Sequence, residues 1–287
     1  MVARSTITTG FAALVATLAL AGGAGAADMA LRGSLPAYED TGPNWTGVYG
    51  GIQGGIGSLN MDAQGMARRE TERLLNGLIY LDTTTHTSAL SYVNVDPIRS
   101  TPVMFGVFVG YQAQFEDAVI GFEFDYNRVL RGGGGTRNWA QPFNVMYVQT
   151  GFTDSFSQSG TVSASLTDYF TARVRAGWAY GRIMPYMTGG IAIARGNTSV
   201  AYRAGISRID TDAGDGVDYT AGYSDLVNTS RTANGVIGFG MAMGTGVEAL
   251  LGNNIFARAE YQYLRIPSMG GVPLSLHTVR AGVGIKY

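Results

Sequence analysis

Nine charged residues sit where alternating strands would turn them to one side. Glu123 and Asp125 are spaced E-x-D, Arg173 and Arg175 are spaced R-x-R, and Arg258 and Glu260 are again two apart. Residues two apart share one face of a β-strand, so each pair projects in a single direction. Glu248, Arg280 and Lys286 stand singly in stretches of the same alternating kind. Opposite charges gathered away from water make a network of ion pairs and hydrogen bonds, which stabilises a structure and turns nothing over. The same residues lining a wet passage would select ions instead. A plug and a channel are therefore the two chemistries these nine residues raise.

Other candidates carry less. The run Gly132 to Gly135 suggests a phosphate cradle, but Lys286 is the only lysine and no G-K-[ST] follows a glycine loop. Those glycines read as slack at the base of an external loop. Asp210, Asp212, Asp215 and Asp218 suggest a calcium loop, yet Gly214 stands where an oxygen ligand is needed and no glutamate closes the site. An ordinary solvated acidic loop is the expectation. His86 falls in a loop and His277 on the apolar face of a strand, and no G-x-S-x-G accompanies either. Neither histidine reads as a catalytic base. No catalytic residue, metal site or cofactor is assigned, and no turnover is expected.

The elements that must position the nine charges are strands. Ser275 to Tyr287 alternates His277, Val279, Ala281, Val283, Ile285 and Tyr287 with Leu276, Thr278, Arg280, Gly282, Gly284 and Lys286. One face is apolar and the other is polar or empty. Val103 to Gln114 sets Phe105, Val107, Val109 and Tyr111 against Gly106, Gly110 and Gln112, and the next strand sets Ile120, Phe122, Phe124 and Tyr126 against Gly121, Glu123, Asp125 and Asn127. A soluble core would have to bury those carboxylates, whereas a polar lumen accommodates them. Further strands read at about Leu166 to Tyr180, Ile183 to Arg195, Asn234 to Ala249 and Ile255 to Ile266. The first strand, Trp45 to Gly57, is blurred by its glycines, with Val48, Ile52 and Ile56 outward.

The connections between these eight strands alternate in length. They run long (58–102), short (115–118), long (131–165), short (181–182), long (196–232), short (250–254) and moderate (267–274). Short turns on one side and longer loops on the other are the pattern of a membrane barrel with both ends on the short-turn side. Segments such as Asn144 to Gln149 could add strands, so ten is the rival count. Composition agrees. The 287 residues include 42 glycines and only 14% charged residues, low for a soluble domain, where about a quarter is usual. There is no cysteine, so no disulfide framework. Arg4, the apolar run Phe11 to Ala21 and the small residues Ala24 to Ala26 read as a secretory signal over residues 1–26. Without Arg4, nineteen basic residues face twenty-one acidic ones, a net charge of -2 that makes no electrostatic case for nucleic acid. Residues 27–44 read as a periplasmic leader, and 45–287 as the barrel.

Particular stretches also carry a resemblance. Ala27 to Ser34, Asn44 to Gly51, Met184 to Ala192, Gly244 to Leu250, Phe256 to Tyr263 and His277 to Tyr287 are similar to segments of small alphaproteobacterial outer-membrane proteins, related in architecture to the OmpA-type barrel. The similarity covers nearly the whole chain after residue 26 and is weak across the loops. It implies an all-β fold, an eight-stranded antiparallel transmembrane β-barrel of the outer membrane in a bacterial cell. It also implies that Val283, Ile285 and Tyr287 form the signal read by the barrel-assembly machinery. The expected role is structural, a surface-exposed protein that contributes to envelope integrity and meets outer-membrane lipid and lipopolysaccharide through its rim and loops. A porin-like channel for small solutes or ions is the alternative. A second alternative is surface binding of haem or a host ligand, with His86, Tyr80 and Tyr92 as axial-ligand candidates in a first loop whose deletion, residues 60–100, would leave the fold intact.

Overall fold

The computed structural model describes residues 43–76, 90–147, 152–210 and 224–287. The elements named among the described residues are, in order, β1 (Gly47–Met61), α1 (Gln64–Leu75), β2 (Ile98–Ser100), β3 (Val103–Phe115), β4 (Ala118–Arg131), β5 (Gly134–Tyr147), β6 (Phe152–Trp178), β7 (Ile183–Asp210), β8 (Ser224–Leu250), β9 (Ile255–Met269) and β10 (Val272–Lys286). Eight of them close a ring, β1-β3-β4-β6-β7-β8-β9-β10, and every pairing is antiparallel. β2 and β5 lie outside it, attached to β1 and β6. The ring count is eight because those two extra strands pair only above the belt.

The registers fix the shape of the ring. Starting at Gly47, the chain of partners runs Gln112, Gly121, Arg175, Thr188, Gly244, Gln262, Thr278 and returns to β1 at Gly57, ten residues higher. Eight strands with that stagger tilt about 40° and give a backbone radius of about 8 Å. Such an interior is only wide enough for side chains. Alternation then sorts the residues. Ile52, Phe105, Val107, Val109, Ile120, Phe122, Val279 and Val283 face out and are about half exposed, while Gln53, Met104, Phe108, Val119, Glu123, Thr278 and Arg280 beside them in sequence face in and are buried.

The outward belt has a constant height. Ten residues separate Val48 from Ser58, Ala118 from Arg128, Trp178 from Asp168, Ile255 from Arg265, and Tyr287 from His277, and in each case the second residue is the first polar one outward. At the rise of a tilted strand that is about 25 Å, the thickness of the apolar band of an outer-membrane barrel.

Above the belt the structure departs from the loop reading. The stretch 58–102 is not a dispensable loop, because β1 continues to Met61 and α1 closes over the mouth of the barrel. Ala67, Thr71 and Leu75, spaced i, i+4, i+8, form the buried stripe of α1. They join Leu59, Met61, Val93, Val95 and Ile98 in one apolar cluster, so deleting residues 60–100 would strip that core. The stretch 131–165 is largely a hairpin of β5 with β6, and Gly134 and Gly135 begin a strand rather than slack. β7 and β8 climb far beyond the membrane as partners, from Gly196 and Val236 up to Ser207 and Ser224. The connection at 267–274 is a two-residue turn, since Gly270 and Gly271 adopt φ of 61° and 88° and let Met269 pair with Val272. Polar Ser, Thr and Gly strands standing in water carry little hydropathy contrast, which is why they read as loop.

Val283 lies mid-belt, paired with Ile52. Val283→Arg is expected to lower the stability of the barrel by about 2–4 kcal/mol, as read by urea unfolding in lipid vesicles.

Candidate functional site

Three layers fill the lumen. At the periplasmic end Trp45, Tyr49, Phe108, Val119, Ala179, Met184, Leu250 and Phe256 form an apolar cluster. Tyr49, Phe108 and Phe256 pack as a triangle, with ring centroids 6.1–6.3 Å apart. Trp45 donates its indole N–H to the Gly181 carbonyl at 3.1 Å and takes the Gln114 Oε1 on its backbone N–H at 2.7 Å. At the external end the second apolar cluster, with α1 in it, closes the mouth. There Trp139 stacks on Tyr202, whose hydroxyl donates to Gln158 at 2.8 Å. Burial pushes the Tyr202 phenol well above its ordinary pKa.

Between the two apolar layers lie the charges. Four carboxylates (Glu123, Asp125, Glu248, Glu260) meet four guanidiniums (Arg173, Arg175, Arg258, Arg280), and the side chains in these pairs are 0–1% exposed. Register sets opposite charges side by side. Glu123 stands opposite Arg173, Glu248 opposite Arg258, and Glu260 opposite Arg280 on neighbouring strands. The narrow ring does the rest. Arg173 reaches Glu123 at 2.6 Å, Asp125 at 2.8 Å and, across the lumen, Glu260 at 2.5 Å. Arg258 of β9 crosses to Glu123 of β4 at 2.7 Å, and Arg280 crosses to Asp125 at 3.2 Å while also bonding Glu260. Arg175 pairs with Glu248 at 2.8 Å and lies 3.6 Å from Glu123.

Neutral groups join the layer. Tyr49 donates to Glu123 at 3.0 Å, Tyr186 to Glu260 at 2.8 Å and Thr171 to Asp125 at 2.5 Å. Gln53 bridges Asn127, at 2.8 Å, and Arg258. Arg258 lies 3.5 Å over the Phe108 ring and Arg175 lies 3.8 Å over the Tyr186 ring, so the aromatic rings meet cation faces where the layers join. Gly244 leaves the space. A Cβ there would come within 2.7 Å of Thr188 Oγ1, 3.0 Å of Glu260 and 3.1 Å of Arg173.

Eight of the nine charges read from the sequence thus come together. Lys286 does not join them. It sits at the periplasmic end, its ammonium donating to the Asn44 carbonyl. Gln53, Tyr49 and Tyr186 belong to the layer and escaped the reading. Asn127 joins the layer from the inward face where strand parity puts it, two past Asp125, whereas Gln53 hides among glycines. His277 points outward beside Tyr261, whose hydroxyl is 2.6 Å from Nδ1, and Tyr263, whose ring centroid is 4.7 Å away. Tyr92 is exposed. His86, Tyr80, Asp212, Gly214, Asp215, Asp218 and the side chain of Asp210 lie outside the described residues, as do the signal 1–26 and leader residues 27–42. Among the described residues, no group of three or more His, Asp or Glu side chains is placed to hold a metal ion.

A closed eight-stranded ring with an apolar exterior of bilayer height and its charges inside defines the class: an outer-membrane β-barrel, lodged in the bacterial outer membrane. No family model and no curated protein matches the chain. Solved structures do. The attachment invasion locus protein of Yersinia pestis is 13% identical over 83% of this chain and 99% of its own, with a TM-score of 0.30. Neisserial surface protein A is 13% identical over 84% and 98%, with a TM-score of 0.31. The outer membrane protein OprG from Pseudomonas aeruginosa is 10% identical over 86% and 98%, with a TM-score of 0.33. At those scores the likeness bears on no function, and the class rests on the registers and burial of the chain itself.

Taking a charge out of water costs several kcal/mol, offset only when every partner is present. Glu123 serves three arginines and Tyr49, so Glu123→Ala is expected to cost about 3–5 kcal/mol in urea unfolding. Replacing Arg175 and Glu248 together by Met is expected to cost less than the sum of the two single replacements.

Proposed function

We propose that this barrel is a structural protein of the envelope whose lumen is plugged. The observation that carries the reading is the charged layer: four positive and four negative groups, neutral in sum, fully buried and closed above and below by apolar clusters. A conducting lumen would have to wet its charges. Apolar ends raise a second barrier to hydration at both mouths. The plug and the belt together give a rigid, closed peg that anchors an external wall of strands in the membrane. No bond-making chemistry belongs to this role, and the barrel contributes to envelope integrity by occupying and bracing the bilayer. In assembly, the outward row Val283, Ile285 and Tyr287 is the stretch offered to the barrel-assembly machinery.

Single-channel recording tests the reading. Refolded protein, with its heat-dependent gel shift showing the folded form, is expected to insert into a planar bilayer without conductance steps. Steady, reproducible steps from that preparation would overturn the plug and make the porin-like alternative the function.

A further inference from the structure

The external edge of the belt carries unpartnered cations that the plug does not use. Arg128 is the first outward residue of β4 above Ile120, Phe122, Phe124 and Tyr126, and Arg265 is the first above Ile255, Ala257, Ala259, Tyr261 and Tyr263 on β9. Each stands ten residues from its periplasmic turn, so both lie at the upper boundary of the hydrocarbon, on different flanks of the ring. Both are exposed, and neither has a partner among the described residues. In the Arg128 row the registers continue to Asp168 and Arg195. Asp168 is taken by Arg195, through bonds of 3.1 and 2.7 Å, which leaves Arg128 unneutralised.

The opposite edge is different. Its turns carry Glu116 and Asp117, and the guanidinium of Arg182 there is tied to the Leu250 carbonyl at 3.2 Å. Free positive charge therefore faces the outer leaflet. A cation at that height, pointing away from the barrel, meets headgroups and nothing else, and a guanidinium suits a phosphate because its fork of donors matches two oxygens. We propose that Arg128 and Arg265 are two annular phosphate sites for a phosphorylated, multiply acylated glycolipid of the outer leaflet, with Tyr126 and Tyr263 beneath them against its acyl chains. The proposal rests on the outer-membrane placement of the belt and deepens the structural role by naming the lipid it braces.

The experiment compares the full-length barrel with Arg128→Gln/Arg265→Gln, each refolded in phosphatidylcholine vesicles containing bisphosphorylated lipid A or phosphatidylglycerol. Lipid molecules retained per barrel are then counted by native mass spectrometry. The native barrel is expected to retain lipid A over phosphatidylglycerol, and the variant to lose about tenfold of that preference, the loss of a charge-assisted contact. Among the described residues neither arginine bonds to another part of the chain, so unfolding midpoints in pure phosphatidylcholine are expected to coincide and exclude misfolding as the cause. Equal lipid A retention by both proteins would overturn the proposal, as would equal retention of the two lipids by the native barrel. The bilayer recording is indifferent to these substitutions, so the plug and the lipid sites stand or fall separately.

Discussion

The radius of the ring governs everything inside it. Eight strands staggered by ten residues leave a lumen that side chains must fill, and alternation commits half the residues of every strand to that space. Once Glu123, Asp125, Arg173 and Arg175 point inward they have no water to retreat to. Their only favourable state is mutual neutralisation, and the pairing across the lumen from β4 to β9 and from β4 to β10 follows from the short span. Glycines opposite the largest side chains are the complement of the same constraint, because a filled lumen has to take its volume from somewhere.

The two apolar layers change the character of that neutrality. Ion pairs open to solvent contribute little, whereas here the aromatic triangle below and the α1 cluster above keep the layer dry. Dryness makes a complete network strong and an incomplete one costly. Phe108, which lies under Arg258, and Tyr49, which donates to Glu123, show how the boundary is shared, since the same rings serve the apolar packing and the charges.

Much of this was legible in the sequence, and the physical reason is period two. Phe105, Val107 and Val109 against Gly106 and Gly110 announce a strand with an outside and an inside, and the E-x-D and R-x-R spacings place charges on the inside. What alternation does not announce is which inward residues meet. Glu123 against Arg258 depends on the stagger of the closed ring, a property of no single segment. The first strand was obscured because Gly50, Gly51, Gly54 and Gly55 have no side chain to show a face, and Gln53 went unnoticed among them. α1 was missed although Ala67, Thr71 and Leu75 repeat every four residues, because polar arginines and glutamates surround the stripe. Gly270–Gly271 carried a turn signal that a longer loop reading overrode.

The belt keeps one height in every strand where it was traced, yet above it the strands part company. β9 ends four residues beyond Arg265, whereas β7 runs fifteen beyond Arg195. The membrane therefore dictates length below that boundary and leaves it free above. Extra residues inserted between β7 and β8 in matched pairs, two on each strand, would raise the wall by one pleat and preserve which side chains face the cluster under α1. A single added residue would exchange inside for outside along everything beyond it. The upper wall is thus a ruler marked in twos, open to lengthening without disturbance to the ring that holds it.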